Sequence, residues 1–268
     1  MSRGPVIKSP KIIIVGSGNV ATYLGKAIMN TPGFSIVQVF SPTPGNARRL
    51  GNKIGVPFTH TWNEINPVAD IYILSVKDDV IQDCIKILSK RVHQDALMIH
   101  TSGSVDSGIF KPYFKHYAVL YPLQTFSLQK KGPMLTMPIL VTASGKSQTK
   151  MIMAMATGLS MDIRMVTDKT RQLIHLSAVM VNNFPNFWYT MAAALLKTKH
   201  IDFRILLPLI EETTAKLKYL SPEDAQTGPA KRHDQKVIRL HEKLLGYEFP
   251  QWKSVYQAMT RLIENHYK

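Results

Sequence analysis

The chain has 268 residues, of which 45% are hydrophobic and 19% are charged. This composition is typical of a folded protein with one large domain or two of ordinary size, and it excludes extensive disorder. The formal net charge is +15, but the excess is spread along the chain: residues 1–166 include 18 basic and 8 acidic residues, and residues 167–268 include 15 and 10. Because nucleic-acid binders usually concentrate such charge on one tail or stripe, no nucleic-acid partner is predicted.

The first residues of the chain and its single cysteine indicate in which cellular compartment the protein works. MSRGPVIKSPK, at positions 1–11, is polar and basic and lacks the apolar run of an export signal. Cys84 has no partner for an internal disulfide and is expected to be a small core residue. The apolar run at 171–197 contains a histidine, three asparagines and a proline, which would lie unpaired in lipid. The sequence therefore predicts a cytoplasmic protein that does not enter the membrane.

A glycine-rich turn follows the first predicted strand. KIIIVGSGNVATYLGKAIM runs from an apolar, β-branched strand through this turn into a helical pattern. The turn fits the dinucleotide-binding fingerprint G-x-G-x-x-G/A: Gly16 allows the tight turn, Gly18 lets backbone amides approach a pyrophosphate, and Ala21 permits close packing of helix on strand. The phosphates are then expected at the N-terminus of the helix. The predicted cofactor contacts in this turn are Gly16, Ser17, Gly18, Asn19 and Val20.

Strands and helix-length segments continue to alternate through the first half. SIVQVFS, DIYILSV, ALMIHTSG, YAVLYPL, PILVTA and DIRMV have strand patterns, and segments such as Gly45 to Gly55 and Asp79 to Arg91 have helical ones. This order predicts an α/β fold with a Rossmann-like, doubly wound parallel sheet. Ligands bind at the carboxyl ends of the strands in such sheets. The residues expected there are Ser75, Val76, Thr101, Ser102 and Gly103 for the cofactor, and Tyr121 and Gln124 for the substrate.

The end of the second strand predicts which dinucleotide is bound. Enzymes that bind NAD usually place an Asp or Glu about 20 residues beyond the glycines, where it holds the ribose hydroxyls. Residues 1–63 contain no carboxylate side chain. FSPTPGNARRL instead offers Ser41, Thr43, Arg48 and Arg49 where a ribose 2′-phosphate would lie. NADP is predicted in preference to NAD; alternatively, the two arginines form only the solvated face of a helix.

Helical periodicity replaces the strand patterns from about Thr167. The helical segments are Asp168 to Lys197, Phe203 to Leu220, Lys231 to Leu245 and one near WKSVYQAMTRLIENHY. We therefore predict two domains, 1–166 and 167–268, of which the second is smaller and all-helical. Binding pockets often form at such boundaries.

The first of these helical segments contains polar residues that a helix interior does not select for stability. On an ideal helix His175 and Asn182 lie two turns apart on nearly one face, which Asn186 extends. A histidine suits proton transfer at neutral pH, so His175 and Asn182 are candidate catalytic residues and Asn186 is a candidate substrate contact. Alternatively, His175 packs in the core, and Asn182 or Asn183 satisfies the backbone that Pro185 leaves unpaired.

Other polar residues of the second half have weaker patterns. Arg232, within AQTGPAKRHD, could hold a substrate carboxylate. Pro229 in the same stretch is typical of the first position of a helix. His233 and His241 have no third ligand at metal spacing, and HEKLLG lacks the second histidine of a zinc-protease motif, so no metal is predicted.

Six stretches together resemble a known family. KIIIVGSGNVATYLG, HTSGS, YPLQTFS, HLSAVMVNNFPN, LLPLIEETTAKL and AQTGPAKRHD are similar to motifs of Rossmann-like, deazaflavin/NADP oxidoreductase-like proteins with a C-terminal helical domain of unknown function. The resemblance covers nearly the whole chain. It extends more distantly to pyrroline-5-carboxylate reductase and the β-hydroxyacid dehydrogenases. It implies an NADP-binding domain joined to a helical domain that forms homodimers, and it names no substrate.

Two departures limit the transfer of residue roles from these relatives. Related sequences often carry Ser-Arg-Thr after the second strand, and this chain has Pro42 in place of that arginine, which leaves the 2′-phosphate to Arg48. The β-hydroxyacid dehydrogenases carry a catalytic Lys with an Asn one turn later on the helix that faces the nicotinamide, whereas Val179 lies one turn after His175 here. The predicted function is NADP-dependent hydride transfer to or from a small carbonyl, hydroxyl or imine compound. The alternative is a sensor that binds NADP(H) without turnover.

Overall fold

A computed structural model describes residues 9–126 and 136–268. Most of the polar N-terminal stretch and the serine that ends YPLQTFS lie outside these ranges. Packing divides the chain into two compact units, Met1–Asn182 and Asn183–Lys268. The first unit thus includes the helix that carries His175. The sequence places the domain boundary at 166/167, where the strand patterns end. That boundary stays a prediction.

The described residues of the first unit form an eight-stranded sheet with the order β3-β2-β1-β4-β5-β6-β7-β8. All pairs from β3 to β6 are parallel, as the sequence predicts. The pair β6 and β7 is antiparallel, and β8 runs parallel to β7, so the sheet is mostly rather than wholly parallel. An antiparallel pair needs no crossover helix. The strands are β1 (Lys11–Val15), β2 (Ser35–Phe40), β3 (Phe58–Thr59), β4 (Ile71–Leu74), β5 (Leu97–His100), β6 (Tyr117–Pro122), β7 (Ile139–Ala143) and β8 (Ile163–Met165).

The central strands are buried on both faces, which explains their continuous apolar runs. In β1, Ile12 and Ile14 join one core cluster, whereas Ile13 and Val15 join the other. Both faces are covered, as expected of a doubly wound sheet. The helices of this unit are α1 (Asn19–Met29), α2 (Pro44–Ile54), α3 (Ile81–Ser89), α4 (Lys146–Thr157) and α5 (Asp168–Ala178).

The helix expected from Asp168 to Lys197 is interrupted. A π-helical segment, Val179–Asn183, follows α5, and α6 begins at Phe184 with Pro185 in its first turn. Pro is tolerated in a first turn because its missing N–H has no partner there. The π segment does not keep the period of 3.6 residues. The expectation that Asn182 and Asn186 share the helix face of His175 assumed an uninterrupted helix and stays a prediction.

The second unit is all-helical, as predicted. Among its described residues only three hydrophobic side chains are buried, Met191, Ala230 and Ile238. Many large ones are exposed, including Leu209 at 65% and Tyr247 at 86%. None of the helices formed by the described residues has the length and apolar character that a bilayer crossing requires. The helices of this unit are α6 (Phe184–Lys197), α7 (Leu207–Ala215), α8 (Pro222–Ala225), α9 (Gln235–Glu248) and α10 (Pro250–His266).

Candidate functional site

The glycine-rich turn lies where the sheet order reverses between β1 and β4. Gly16 has φ +117° and donates its N–H to the carbonyl of Phe40 at 2.8 Å. A Cβ at this position would lie 2.1 Å from the carbonyl oxygen of Ser75, so only glycine fits. Ligands of doubly wound sheets bind at such a reversal.

The N-terminus of α1 is open to an anion. Gly18 precedes the helix, no side chain caps it, and a Cβ there would meet no atom within 4 Å. The first turn of α1 also has no acidic residue. Free backbone N–H groups and the helix dipole favour negative charge at this position. These residues fit the pyrophosphate of a dinucleotide.

The ends of β1 and β2 meet beside this turn. The buried hydroxyls of Ser17 and Ser41 are hydrogen-bonded at 2.8 Å. Arg49 donates from Nη2 to the carbonyl of Ser17 at 3.1 Å. Arg48 and Thr43 are exposed, and neither makes a side-chain hydrogen bond within the described residues. Arg49 is thus the arginine that contacts the glycine-rich turn.

The ends of β4 and β5 join the same edge. The hydroxyl of Thr101 donates to that of Ser75 at 3.3 Å, and Val76 lies beside Gly16. Asn19, at the start of α1, donates to the carbonyl of Phe126 at 2.8 Å. The predicted cofactor residues of three separate loops are therefore neighbours.

The loop after β5, residues 102–107, connects this edge to α5. The hydroxyl of Ser102 accepts the N–H groups of Ser104 and Val105 at 3.1 and 3.0 Å. The hydroxyl of Ser104 donates to Asp78 at 2.5 Å, and its carbonyl accepts Nε2 of Gln172 at 2.9 Å. Loop 102–107 thus contacts both the end of β4 and α5.

Tyr121 and His175 form a hydrogen-bonded pair beside this loop. The Tyr121 hydroxyl and the His175 Nδ1 are 2.9 Å apart, and their rings meet edge to face at 78°. A Cβ on Gly103 would lie 2.6 Å from Nδ1 of His175 and 2.8 Å from Cζ of Tyr121. Gly103, predicted as a cofactor contact, thus also makes room for the pair.

The environment of the pair suits proton transfer. Burial raises the pKa of the Tyr121 hydroxyl, the charge of Asp78 raises it further, and Arg171 opposes both. Tyr121 therefore keeps its proton at neutral pH. His175 is only half-buried, and its Nε2 makes no hydrogen bond with any described residue. With Nδ1 occupied by Tyr121, Nε2 is the ring atom available to a substrate.

Two charged residues that the sequence analysis did not single out lie behind this pair. Arg171 is 0% exposed and forms an ion pair of 2.6 Å with Asp168. Burial raises the pKa of the Asp168 carboxyl, but hydrogen bonds from Ser107 and the contact with Arg171 outweigh burial and lower it. The sequence feature that could have indicated this ion pair is an acidic residue followed three positions later by a basic one at the start of a predicted helix.

His100, at the end of β5, is fully buried. Its Nδ1 accepts the N–H of Ser102 at 3.2 Å, and its ring stacks on Phe110. Burial, together with the positive charge of Arg171, lowers the pKa of His100 to about 3. Its Nε2 has no hydrogen-bond partner among the described residues. His100 is thus a neutral core residue.

The predicted site residues Asn182 and Gln124 make no hydrogen bond to this pair among the residues that the structure describes. Asn182 is exposed, and neither it nor Asn183 makes a side-chain hydrogen bond within the described ranges. The alternative that these asparagines satisfy the backbone before Pro185 is therefore not seen. Gln124 is exposed and accepts the N–H of Thr125 at 2.9 Å. The two other predicted contacts, Asn186 and Arg232, are exposed residues of the second unit.

Family models match both halves of the chain. Residues 11–103 match the model described as NADP oxidoreductase coenzyme F420-dependent. Residues 137–263 match a domain of unknown function, DUF2520. A comparison with curated proteins finds no significant match.

Solved structures match nearly the whole chain. It is 37% identical to a proposed NADP oxidoreductase from Bacteroides fragilis, over 97% of this chain and 99% of that one, with a TM-score of 0.90. A Thermotoga maritima protein is 21% identical over 95% and 98%, with a TM-score of 0.78. An imine reductase from Myxococcus stipitatus, solved with NADP+, is 14% identical over 96% and 93%, with a TM-score of 0.71. The similarities to the Thermotoga maritima and Myxococcus stipitatus structures show the fold alone.

The fold, the glycine-rich turn and these matches define a class, the Rossmann-like NADP-dependent oxidoreductases. Within this class, the chain belongs to the family that joins an NADP oxidoreductase domain to the C-terminal domain DUF2520. The expected resemblance, fold class and cofactor are therefore confirmed.

Proposed function

We propose that the protein transfers a hydride between the nicotinamide of NADP(H) and a small carbonyl, hydroxyl or imine compound. The observation that carries this proposal is the Tyr121–His175 pair, which lies beside Gly103 next to the cofactor edge of the sheet. Bound NADP(H) would supply or accept the hydride. The residues of the chain would bind and orient the reactants and move the proton.

His175 is proposed as the acid and base. In the direction of reduction, the substrate carbon would gain the hydride, and protonated His175, with its Nδ1–H donated to the Tyr121 hydroxyl, would give the proton on Nε2 to the substrate oxygen or nitrogen and become a neutral imidazole. In the direction of oxidation, Nε2 accepts that proton. Tyr121 holds Nδ1 and so fixes the ring orientation and the tautomer. Water then restores the proton to the half-exposed imidazole.

Cofactor binding is proposed at the open end of α1. Gly18 and the backbone N–H groups that follow it would hold the pyrophosphate, and Gly16 allows the close packing of this turn on β4. Ser41 and Arg49 would hold the 2′-phosphate. Arg48 and Thr43, both exposed on this side, would add to that contact.

The alternative function is a sensor that binds NADP(H) without turnover. A sensor needs the glycine-rich turn but no proton donor near the nicotinamide. The Tyr121–His175 pair, with Nε2 unpaired among the described residues, favours the enzyme. In a sensor, replacement of His175 would affect neither cofactor binding nor any chemistry.

A homodimer is proposed as the working form. The second unit exposes large hydrophobic side chains along several helices and buries few of those described. Extensive exposed apolar surface is typical of an interface. A second copy of the chain, pairing through this unit, would cover that surface.

Turnover is the test of this function. Small keto acids, imines and alcohols are screened with NADP(H), together with coenzyme F420, which the description of the matching family model names. His175→Gln should lower kcat about 10²-fold or more, as loss of a general acid or base commonly does, while folding and NADP affinity stay near wild type.

The chain offers a matched control for this substitution. In the second unit, Nδ1 of His241 is bonded to the hydroxyl of Tyr256 at 2.9 Å, with the rings edge to face at 79°. His241→Gln removes a similar pair far along the chain and should leave kcat unchanged. If His175→Gln turns substrate over at the wild-type rate, His175 has no catalytic role.

A further inference from the structure

Arg171 is the most unusual buried side chain of the first unit. It is 0% exposed, although arginine is almost never fully buried unless it is paired. Its guanidinium contacts three different segments: Asp168 in the first turn of α5, the carbonyl of Val105 in loop 102–107, and the hydroxyl of Thr142 in β7 at 2.9 Å. One side chain thus connects a helix, a loop and a strand.

Further bonds join the same helix and loop. Asp168 accepts the N–H and the hydroxyl of Ser107 at 3.0 and 2.6 Å. Gln172 donates to the carbonyl of Ser104 at 2.9 Å. The first turn of α5 is therefore held along loop 102–107, the loop that also contains Gly103.

His175 lies one helical turn after Arg171. Residues four apart are on the same face of an α-helix, so the position of Arg171 determines where His175 meets Tyr121 and Gly103. A buried ion pair adds little to stability compared with apolar residues of similar volume. The contacts of the buried Arg171 guanidinium are therefore better explained by the position they give to α5 than by a contribution to the free energy of unfolding.

We propose that Arg171 is a positioning residue, which fixes α5 to loop 102–107 and to β7 and thereby holds His175 against Tyr121. The consequence for turnover rests on the proposed function, but the geometric role does not. Misplacement of His175 by about 1 Å would lower kcat by about 10²-fold. The KM for NADP(H) would not change, because Arg171 contacts none of the residues proposed to hold the cofactor phosphates.

The geometric role is tested without a substrate, by NMR of protein labelled with ¹⁵N at histidine. The shifts of the two ring nitrogens of His175 report its tautomer and its hydrogen bond to Tyr121, and Tyr121→Phe gives the shifts of the broken pair. Arg171→Lys keeps the charge but loses the planar fork. Thr142→Val is a milder, isosteric change for the case in which Arg171→Lys does not fold. It removes one bond from Arg171 and also the bond that the Thr142 hydroxyl donates to the carbonyl of Val166 at 2.9 Å.

We expect the His175 shifts of both variants to move from the wild-type values towards those of Tyr121→Phe. The control is Tyr72→Phe, which removes the part-buried hydrogen bond of 2.6 Å from the buried Tyr72 to the carbonyl of Asn66 and should lower the melting temperature without moving the His175 shifts. Wild-type His175 shifts in Thr142→Val and in any folded Arg171→Lys, whatever the melting temperature, would overturn the proposal.

Turnover separates this inference from the proposed function. If no substrate is ever turned over but the His175 shifts move as expected, Arg171 positions the histidine of a protein with another function. If turnover is found and depends on His175, Arg171→Lys should lower kcat and leave the KM for NADP(H) unchanged. Equal kcat in the variant and the wild type would also overturn the inference.

Discussion

Gly103 and His175 are 72 positions apart in the chain, yet their atoms lie so close that no side chain fits on residue 103. A Cβ there would lie 2.6 Å from Nδ1 of the imidazole, the same atom that bonds Tyr121. The absence of a side chain at Gly103 is therefore a condition for the hydrogen bond between Tyr121 and His175.

Gly103→Ala should break that bond while the protein stays folded. The added methyl group must displace the His175 ring or the Tyr121 ring, so kcat should fall by about 10²-fold, as expected for a misplaced catalytic group. Kinetics and ¹⁵N NMR of His175 provide the measurement. Gly45→Ala is the control, since a Cβ at Gly45 meets no atom within 4 Å and should change neither kcat nor the NMR shifts. A Gly103→Ala variant with wild-type kcat would show that an added methyl group at residue 103 does not disturb the Tyr121–His175 pair, contrary to this prediction.

NADP(H) should bind more tightly than NAD(H). Residues 1–63 offer no carboxylate to the ribose hydroxyls, and Arg49 already lies on the glycine-rich turn. Calorimetry with both cofactors gives the preference. Arg49→Ala should reduce the affinity ratio of NADP(H) to NAD(H) by about tenfold or more, which is the size expected for the loss of one charge-assisted hydrogen bond. Arg48, which makes no side-chain hydrogen bond within the described residues, is the comparison, and Arg48→Ala should reduce this affinity ratio less. Equal affinity of the wild type for both cofactors would refute the assignment of Ser41, Arg48 and Arg49.

The protein should be a homodimer in solution. The helices of the second unit bury too few of their described hydrophobic side chains to form a core of their own, so a second copy is expected to cover the rest. Light scattering at tens of micromolar measures the mass. The melting temperature should rise with protein concentration, because association stabilises the folded state by mass action. A monomer with a constant melting temperature is the contrary result.

Acid should remove the stability that the Asp168 carboxylate provides. The pKa of Asp168 is lower in the folded protein than in the unfolded chain, so its contribution is present above the unfolded pKa and is lost as the pH falls through the folded value. Asp168→Asn should therefore lower the melting temperature at pH 7, and the difference from wild type should shrink towards pH 3. Asp83, 72% exposed in its side chain and paired with Lys86 at 3.6 Å, is the control: because an exposed ion pair contributes little, Asp83→Asn should change the melting temperature far less than Asp168→Asn. A constant difference for Asp168→Asn would contradict the pairing with Arg171.

Much of the fold could be predicted from local patterns. The apolar run before Gly16 and the turn chemistry after it depend on neighbouring residues only, and both are found as expected. The direction of β7 could not be predicted in this way, since a strand pattern is the same for parallel and antiparallel pairing. The π-helical segment Val179–Asn183 was also missed, because the expectation assumed one uniform helical period.

The candidate site was predicted only in part. His175 and Tyr121 were each singled out, but their hydrogen bond joins α5 to the end of β6, a contact that no local pattern contains. Arg171 was overlooked because arginine is usually exposed, and its burial depends on partners in β7 and loop 102–107. The arginines after β2 were predicted together, whereas only the packing of α2 distinguishes Arg49 from Arg48.

The buried imidazole of His100 provides an internal standard. With a pKa of about 3, its ring stays neutral, with one nitrogen protonated, across the whole neutral range. In a titration monitored by NMR, the His100 signals should therefore remain in place near neutral pH. Any movement of the His100 signals near neutral pH would report that water has entered the core beneath loop 102–107. The same spectrum that follows His175 therefore shows whether a substitution has merely loosened the protein around it.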